Sequence, residues 1–218
     1  MRQVSLTSKC IFLDLDGTLV DSTEAYFEAA RASFKAIGQA PPTNETALEI
    51  PRRLEQGYSI NDITNGETKK FLKTYMKTYY LVTPQKTRLI PNVSATLEAL
   101  SSKNTLALVT MRHVPRLTIV RELDYFGISR FFTRIVTAMD SCKPKPSPEA
   151  LLNSAEALDV KISDCLIVGD SVNDVRAGRA AGAQTVAVLS GLFACEELAR
   201  EKPDLILEDI TALPDFIA

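Results

Sequence analysis

The fold is decided by one stretch near the start of the chain, Phe12-Leu13-Asp14-Leu15-Asp16-Gly17-Thr18-Leu19-Val20-Asp21-Ser22. Residues 9–13 form a short apolar run that is typical of a fully buried strand in a parallel sheet. In open α/β sheets the carboxyl ends of the strands face the ligand crevice, so Asp14 and Asp16 can present two carboxylates at one mouth. Gly17 permits the tight turn that must follow. The stretch therefore predicts a buried strand that ends at a functional site.

The two carboxylates could serve as a nucleophile beside an acid/base. Asp14 could attack phosphorus and form an aspartyl-phosphate, while Asp16 protonates the leaving oxygen and later deprotonates water. The alternative is an ordinary strand followed by an Asp-Gly turn, which many folds contain. The short pattern D-x-D-G does not separate the two interpretations, and further motifs must decide.

The composition describes an ordinary globular chain. Its 218 residues are 45% hydrophobic and 24% charged, and the length allows one domain that carries an insertion. A net charge of -2 provides no basic footprint, so neither nucleic acid nor a membrane surface is expected as a partner. No apolar run approaches the roughly 20 residues that span a bilayer, and residues 1–8 lack the apolar core of a signal peptide. We expect a cytoplasmic protein whose four cysteines are reduced thiols, with no zinc site and no disulfide framework.

Strand patterns alternate with helical patterns along the rest of the chain. We predict strands at 9–13, 105–109, 134–137, 165–168 and 185–189, with a sixth candidate at 205–207. This alternation predicts an α/β fold with a doubly wound, parallel, Rossmann-like sheet and right-handed crossovers.

The segment 22–90 differs from the rest because it lacks a convincing buried strand and contains several helical stretches, including 68–81. We therefore predict a small all-helical domain inserted after the first strand. The predicted boundaries are 1–21 together with 91–218 for the Rossmann-like core, and 22–90 for the insertion.

Thr110 directly follows the second predicted core strand. Its hydroxyl and the backbone amides of Met111 and Arg112 could form a small anion site at the same mouth as Asp14. The alternative is that Thr110 only caps a helix, which is the commoner use of threonine at a strand end.

A loop with three prolines, 144, 146 and 148, follows the third predicted core strand and offers two cations, Lys143 and Lys145. A point cation in this loop could hold the transferring phosphoryl group and neutralise part of the Asp14 charge. The alternative for either lysine is a solvated surface position.

Asp170 and Asp174 follow the fourth predicted core strand. Hard oxygen ligands suit Mg²⁺, and Asp14, the backbone carbonyl of Asp16 and Asp170 could hold it, with Asp174 close by. Without a metal, these carboxylates would raise one another's pKa values. Asp174 could also cap the helix that begins near Val175, and the two roles are compatible.

The four segments occur in order, each at the carboxyl end of a predicted strand. D-L-D-G-T, V-T-M-R, K-P-K-P and G-D-S-V-N-D resemble motifs I to IV of the haloacid dehalogenase-like (HAD) phosphohydrolases, and with the insertion the resemblance covers nearly the whole chain. The insertion resembles the helical cap of the subfamily that includes phosphoglycolate phosphatase and β-phosphoglucomutase.

The resemblance implies roles for individual residues. The K-P-x-P pattern of motif III favours Lys143 as the catalytic lysine, which would leave Lys145 exposed. In this subfamily the cap closes over the site and selects the substrate, so Arg53 could pair with a substrate carboxylate or a second phosphate. An exposed helix arginine is the alternative. Tyr26 lies at the position we match to a histidine of β-phosphoglucomutase, which disfavours a mutase.

Asp16 argues for phosphate esters, because the resembling dehalogenases lack a second aspartate and the phosphonatases replace it. We predict a Mg²⁺-dependent phosphatase that hydrolyses a small phosphorylated metabolite, such as phosphoglycolate or a sugar phosphate, through an aspartyl-phosphate. The alternatives are a phosphosugar mutase and a non-catalytic binding protein. We expect a monomer, with a homodimer as the alternative. The single histidine, His113, could either contact substrate or serve a structural purpose.

Overall fold

The computed structural model describes residues 6–217. Residues 1–5, which belong to the segment for which the sequence predicts no signal peptide, lie outside the described residues, as does residue 218. Contacts divide the chain into two compact units. One takes in the chain up to Val20 and from Leu89 onward, and the other is Asp21–Arg88.

The helices and strands follow one another in the order β1 (Cys10–Leu13), β2 (Val20–Asp21), α1 (Thr23–Ala36), α2 (Asn44–Glu55), α3 (Thr68–Lys86), β3 (Arg88–Leu89), α4 (Val93–Ser101), β4 (Thr105–Val109), α5 (Arg116–Tyr125), β5 (Phe132–Val136), α6 (Glu149–Ala157), β6 (Cys165–Gly169), α7 (Val172–Ala181), β7 (Gln184–Val188), α8 (Cys195–Arg200) and β8 (Leu205–Leu207). Short 3₁₀ turns lie at Ser129–Phe131, Ile162–Asp164 and Ile210–Phe216.

Six parallel strands form the central sheet, in the order β5-β4-β1-β6-β7-β8. β1 lies in the middle, where Cys10 pairs with Thr105 on one side and with Cys165 on the other. The predicted parallel α/β fold is thus confirmed, including the sixth strand at Leu205–Leu207. The third predicted core strand begins two residues earlier than expected, because Phe132 joins the ladder beside Leu106 before a shift in register.

Helices cover the sheet, which explains why β1 has no polar alternation. All four of its residues are fully buried. Phe12 lies in a cluster to which α6 and α7 contribute, for example through Leu151 and Ala177. Because successive strand residues point to opposite faces, Ile11 and Leu13 are buried on the other face of the sheet. Burial of the Phe12 ring contributes about 1.5–3 kcal/mol, as expected for a large apolar side chain.

The unit Asp21–Arg88 is built on α1, α2 and α3, which confirms that the insertion is helical. Its core is aromatic: the rings of Phe34 and Phe71 meet edge to face at 5.3 Å, and Phe71 also stacks on Tyr75 at 5.9 Å. Thr43 caps α2 by accepting a hydrogen bond from the amide of Thr46. The short strands β2 and β3 pair with each other in a separate two-stranded sheet.

Within residues 6–217, no helix is both long enough and apolar enough to cross a membrane.

Candidate active site

The site residues of the core unit lie where neighbouring strands end. The amide of Asp14 still donates to the carbonyl of Val168 on β6 (3.0 Å), and the amide of Thr110 donates to Val136 on β5 (3.0 Å). The chain leaves the sheet directly after each of these bonds. Parallel strands present their carboxyl ends at the same edge, so the side chains that follow β1, β4 and β6 meet there.

A buried ion pair connects the first motif to the proline-rich loop. Lys145 Nζ lies 2.7 Å from Asp14 Oδ1 and 2.5 Å from Asp174 Oδ1, and the lysine side chain is only 2% exposed. The prediction that Lys145 is exposed is therefore wrong. Lys143, which the sequence pattern favoured, is exposed and is not the lysine that reaches Asp14.

The local structure of the loop explains this placement. Ser141 donates through its hydroxyl to the carbonyl of Lys143 (2.9 Å), and the amide of Cys142 donates to the carboxylate of Glu149 at the start of α6 (3.0 Å). These contacts hold residues 141–143 near the start of α6. Two positions farther on, Lys145 points inward to the carboxylates.

Three buried carboxylates lie together around this lysine. One oxygen each from Asp14, Asp170 and Asp174 lies within 4.8 Å of the others. With the one ammonium group, the cluster carries a net charge of about -2 if all members are ionised. A buried excess of negative charge and a set of hard oxygen donors both fit a divalent cation such as Mg²⁺.

Backbone and hydroxyl groups of nearby loops hold Asp170 and Asp174 in place. Asp170 Oδ2 accepts a hydrogen bond from the amide of Leu192 (3.2 Å). Asp174 Oδ2 accepts from the amide (3.2 Å) and the hydroxyl (2.9 Å) of Ser171, and it thereby completes a capping box at the start of α7. The capping role predicted for Asp174 and its place in the carboxylate cluster therefore coexist, since its two oxygens serve different partners.

Two glycines allow the backbone to approach Asp170 closely. A Cβ at Gly17, where φ is +75°, would lie 2.5 Å from Asp170 Oδ2. A Cβ at Gly191, in the loop after β7, would lie 1.7 Å from the same oxygen. The hydroxyl of Ser190 also donates to the carbonyl of Gly17 (2.6 Å) and ties the loop after β7 to the turn after β1.

The charged groups in the cluster shift one another's pKa values. Burial raises the pKa of Asp14 to about 7, and Asp174 also raises it, although the attraction of Lys145 works in the opposite direction. Burial by itself would lower the pKa of Lys145, but the attraction of Asp14 and Asp174 outweighs this effect and leaves the pKa above its ordinary value. Lys145 is thus a permanent cation beside a carboxylate with a shifted pKa.

Asp16 points to a different partner. Arg112 donates from Nε to Asp16 Oδ2 (2.7 Å) and from Nη2 to Asp16 Oδ1 (2.6 Å), so the guanidinium binds the carboxylate through two parallel bonds. Its Nη1 donates to Glu122 Oε2 (2.5 Å). Burial raises the pKa of Glu122 above its ordinary value, against the attraction of Arg112. The carboxylate of Asp16 is not among the clustered oxygens, and its predicted contribution to a metal site through the backbone carbonyl stays a prediction.

The residues after β4 differ in part from the anion site that the sequence predicts. Thr110 is buried, and its hydroxyl accepts a hydrogen bond from the amide of Arg112 (3.2 Å), so one of the two predicted amide donors already has a partner. Met111 is half-buried and His113 is exposed. Sequence reasoning considered Arg112 only for its amide and missed its side chain and that of Glu122.

The two candidate substrate residues of the inserted unit both have partners inside that unit. The ring of Tyr26 stacks on Tyr79 at 5.3 Å. Arg53 donates from Nε to Glu49 (2.9 Å) and from Nη1 to both oxygens of Asp62 (2.8 and 2.9 Å). Their roles toward substrate stay predictions.

Comparisons with known protein sequences match the chain to one family. The model of a family described as haloacid dehalogenase-like hydrolase matches residues 11–188. Phosphoglycolate phosphatases of Vibrio cholerae and Vibrio parahaemolyticus are 31% and 30% identical to the chain, and each alignment covers 96% of both proteins.

Solved structures agree with these matches. A haloacid dehalogenase-like hydrolase of Streptococcus pneumoniae superposes with a TM-score of 0.81 at 23% identity, covering 97% of this chain and 98% of its own. That similarity concerns the fold, while the family model and the curated relatives concern the sequence as well. The chain therefore belongs to the haloacid dehalogenase-like hydrolases and is a phosphatase of that family.

Proposed function

We propose that this phosphatase hydrolyses small phosphate monoesters in a Mg²⁺-dependent reaction, through an aspartyl-phosphate formed on Asp14. The observation that carries the proposal is the buried ion pair of Asp14 with Lys145 beside two further carboxylates. A lone buried carboxylate would be protonated at neutral pH, but one that a fixed ammonium group contacts can be ionised and can attack.

The chemistry runs in two steps. In the first, a carboxylate oxygen of Asp14 forms a bond to phosphorus, the ester P–O bond breaks, and Asp16 gives a proton to the departing alcohol. In the second, Asp16 takes a proton from water, which attacks phosphorus and releases inorganic phosphate and Asp14. Each step is a displacement at phosphorus, so positioning and charge neutralisation supply most of the acceleration.

Lys145 takes the part that the sequence assigned to Lys143. Its ammonium group is fixed by two carboxylates, so it can neutralise negative charge as phosphate approaches Asp14 without first losing side-chain freedom. Thr110 and the amide of Met111 are the proposed contacts to phosphate oxygens at the same edge of the sheet.

The carboxylates of Asp14, Asp170 and Asp174 would hold the metal, together with the backbone carbonyl of Asp16. When bound, Mg²⁺ would neutralise charge on the phosphate oxygens. The residues of the chain prepare this site without it: Leu192 and Ser171 hold Asp170 and Asp174, and Gly17 leaves room for the Asp170 carboxylate.

The proposed substrates are phosphoglycolate and small sugar phosphates. Support comes from the Vibrio relatives, which are phosphoglycolate phosphatases and whose alignments cover 96% of this chain. Tyr26 and Arg53 are the proposed specificity residues of that unit. Arg53 would have to exchange Asp62 for a substrate anion, since its guanidinium already binds two carboxylates.

The test is release of inorganic phosphate from a panel of small esters, with and without Mg²⁺. Asp14→Asn should abolish release, and Asp159→Asn, at an exposed position outside the site, should preserve it. Mass spectrometry of acid-quenched Asp16→Asn protein, incubated with p-nitrophenyl phosphate, should detect a phosphoryl group on the peptide that carries Asp14, because this leaving group departs without a proton while loss of the base slows the second step.

An Asp14→Asn protein that still releases phosphate in a Mg²⁺-dependent manner would exclude the covalent scheme. A wild-type protein that converts a sugar phosphate to its isomer without releasing phosphate would favour the mutase.

A further inference from the structure

We propose that Glu122 is a positioning residue that acts through Arg112 to fix the carboxylate of Asp16 for proton transfer. The inference rests on the proposed function, in which Asp16 is the acid and base. Glu122 lies on α5, 10 residues after Arg112 and outside all four motifs, so the motif pattern does not point to it.

Asp16 is held by contacts on both of its carboxylate oxygens. Its carboxylate is bound on both oxygens by one guanidinium, and a bidentate pair of this kind fixes orientation as well as distance. The side chain of Asp16 is 16% exposed, so it reaches the surface of the core unit while its direction is set from within. Arg112 therefore helps to orient the carboxylate of Asp16.

The other end of the guanidinium binds a second carboxylate. Arg112 is 4% exposed and its remaining terminal nitrogen, Nη1, binds Glu122, which is equally buried. Among the described residues, Glu122 Oε1 has no hydrogen-bond partner. A buried carboxylate with one unpartnered oxygen is costly, whereas an apolar side chain at this place on α5 would pack between Ile119 and Leu123 without that cost. The contact that Glu122 does make is with Arg112.

The negative charge of Glu122 restrains the guanidinium of Arg112. A buried guanidinium that lacked Glu122 would lose the charged partner of its Nη1 and gain freedom to turn toward another negative group. When substrate binds, the phosphate supplies such a group near the carboxyl ends of β1 and β4. Glu122 opposes this by holding the guanidinium plane on the side of Asp16. Loss of Glu122 should thus reduce proton transfer by Asp16 while leaving substrate affinity unchanged or higher.

The experiment compares two esters with Glu122→Gln, which preserves shape but removes the charge. p-Nitrophenyl phosphate has a leaving group that departs without a proton, whereas the alcohol of an alkyl monoester needs one. General acid assistance contributes about 10²–10⁴ in rate, so we expect kcat/KM to fall about tenfold or more for the alkyl ester and less than about threefold for the aryl ester. KM should not rise. The matched control is Glu98→Gln, an exposed glutamate on α4, which should change neither rate.

Two further variants guard against a purely structural effect. Arg112→Lys keeps the positive charge but cannot make two parallel bonds, so it should reproduce the same preference for the aryl ester. In an Asp16→Asn background, Glu122→Gln should cause no additional loss, because the carboxylate on which it acts is absent. Thermal unfolding of every variant verifies that it is folded.

An equal loss for both esters, or a further loss in the Asp16→Asn background, would overturn the inference and leave the proposed function intact. Unchanged rates for Glu122→Gln would do the same. A folded wild-type protein that hydrolyses neither ester would overturn the proposed function, and the inference with it.

Discussion

Replacing Lys145 by methionine tests which of the two lysines of the proline-rich loop, Lys143 or Lys145, acts at the site. Methionine has a similar length but no charge, so the change removes both contacts of the ammonium group, 2.7 Å to Asp14 and 2.5 Å to Asp174. At an effective dielectric constant of about 20, each contact represents roughly 6 kcal/mol of gross attraction. Desolvation of the charges cancels much of this.

The net cost follows from what stays behind. Removal of the ammonium group leaves Asp14 and Asp174 as buried carboxylates without their cation, and breaking a buried pair in this way costs about 3–5 kcal/mol. We expect the free energy of unfolding to fall by about that amount in buffer with EDTA. Loss of a fixed positive charge beside the nucleophile should also reduce kcat by about 10²–10³.

The matched control is Lys143→Met. That side chain is exposed, so its replacement should change stability by no more than about 0.5 kcal/mol and should preserve activity. Urea unfolding followed by circular dichroism measures the first quantity, and phosphate release measures the second. Equal effects of the two substitutions, or an active and fully stable Lys145→Met protein, would refute the assignment of Lys145.

Two other predictions concern the carboxylate cluster. Gly191→Ala should weaken Mg²⁺ binding in a calorimetric titration and reduce activity. The new Cβ would lie 1.7 Å from Asp170 Oδ2 and would therefore displace that oxygen. An unchanged affinity would contradict the role of this close approach. In EDTA, the unfolding free energy of the wild type should decrease as pH rises from about 4 to about 7. Burial raises the pKa of Asp14 from 3.8 to about 7, so the folded state binds a proton more tightly than the unfolded chain does. Urea unfolding at several pH values should show that Asp14→Asn loses this dependence, and a wild-type curve that rises over the same interval would contradict it.

The sequence predicted the sheet well because its strands are continuous apolar runs. β1 and β4 are buried on both faces, so burial is visible as unbroken hydrophobicity, and the site residues follow directly where the runs stop. Start and end positions were less well predicted where the ladder changes register, as at Phe132.

The lysine was assigned wrongly for a different reason. In an irregular loop, side chains two positions apart have no fixed relative direction. Lys143 and Lys145 also share the same local pattern, since each precedes a proline. The direction of each was set by contacts with Glu149 and with Asp14, which lie elsewhere in the chain. Composition at the loop itself carries no information about them.

Glu122 did leave a signal. Ile119, Glu122 and Leu123 occur at the spacing of one helix face, and the first and last are apolar and buried. A charged residue on an apolar stripe predicts a buried partner, and the nearest cation in an adjacent loop is Arg112. That the partner connects to Asp16 could not be predicted, since it depends on how the turns after β1 and β4 meet.

The central position of β1 has a consequence for synthesis on the ribosome. The first strand to emerge is the one that finally has neighbours on both sides, and Asp14 must wait for Lys145, which lies 131 residues later. At about 5–20 residues per second, that interval is on the order of 10 s. Throughout that interval, the nascent chain carries an apolar strand without one of its partners and a nucleophile without its cation. The helices of residues 21–88 have local contacts, so they can form well before any chemistry is possible.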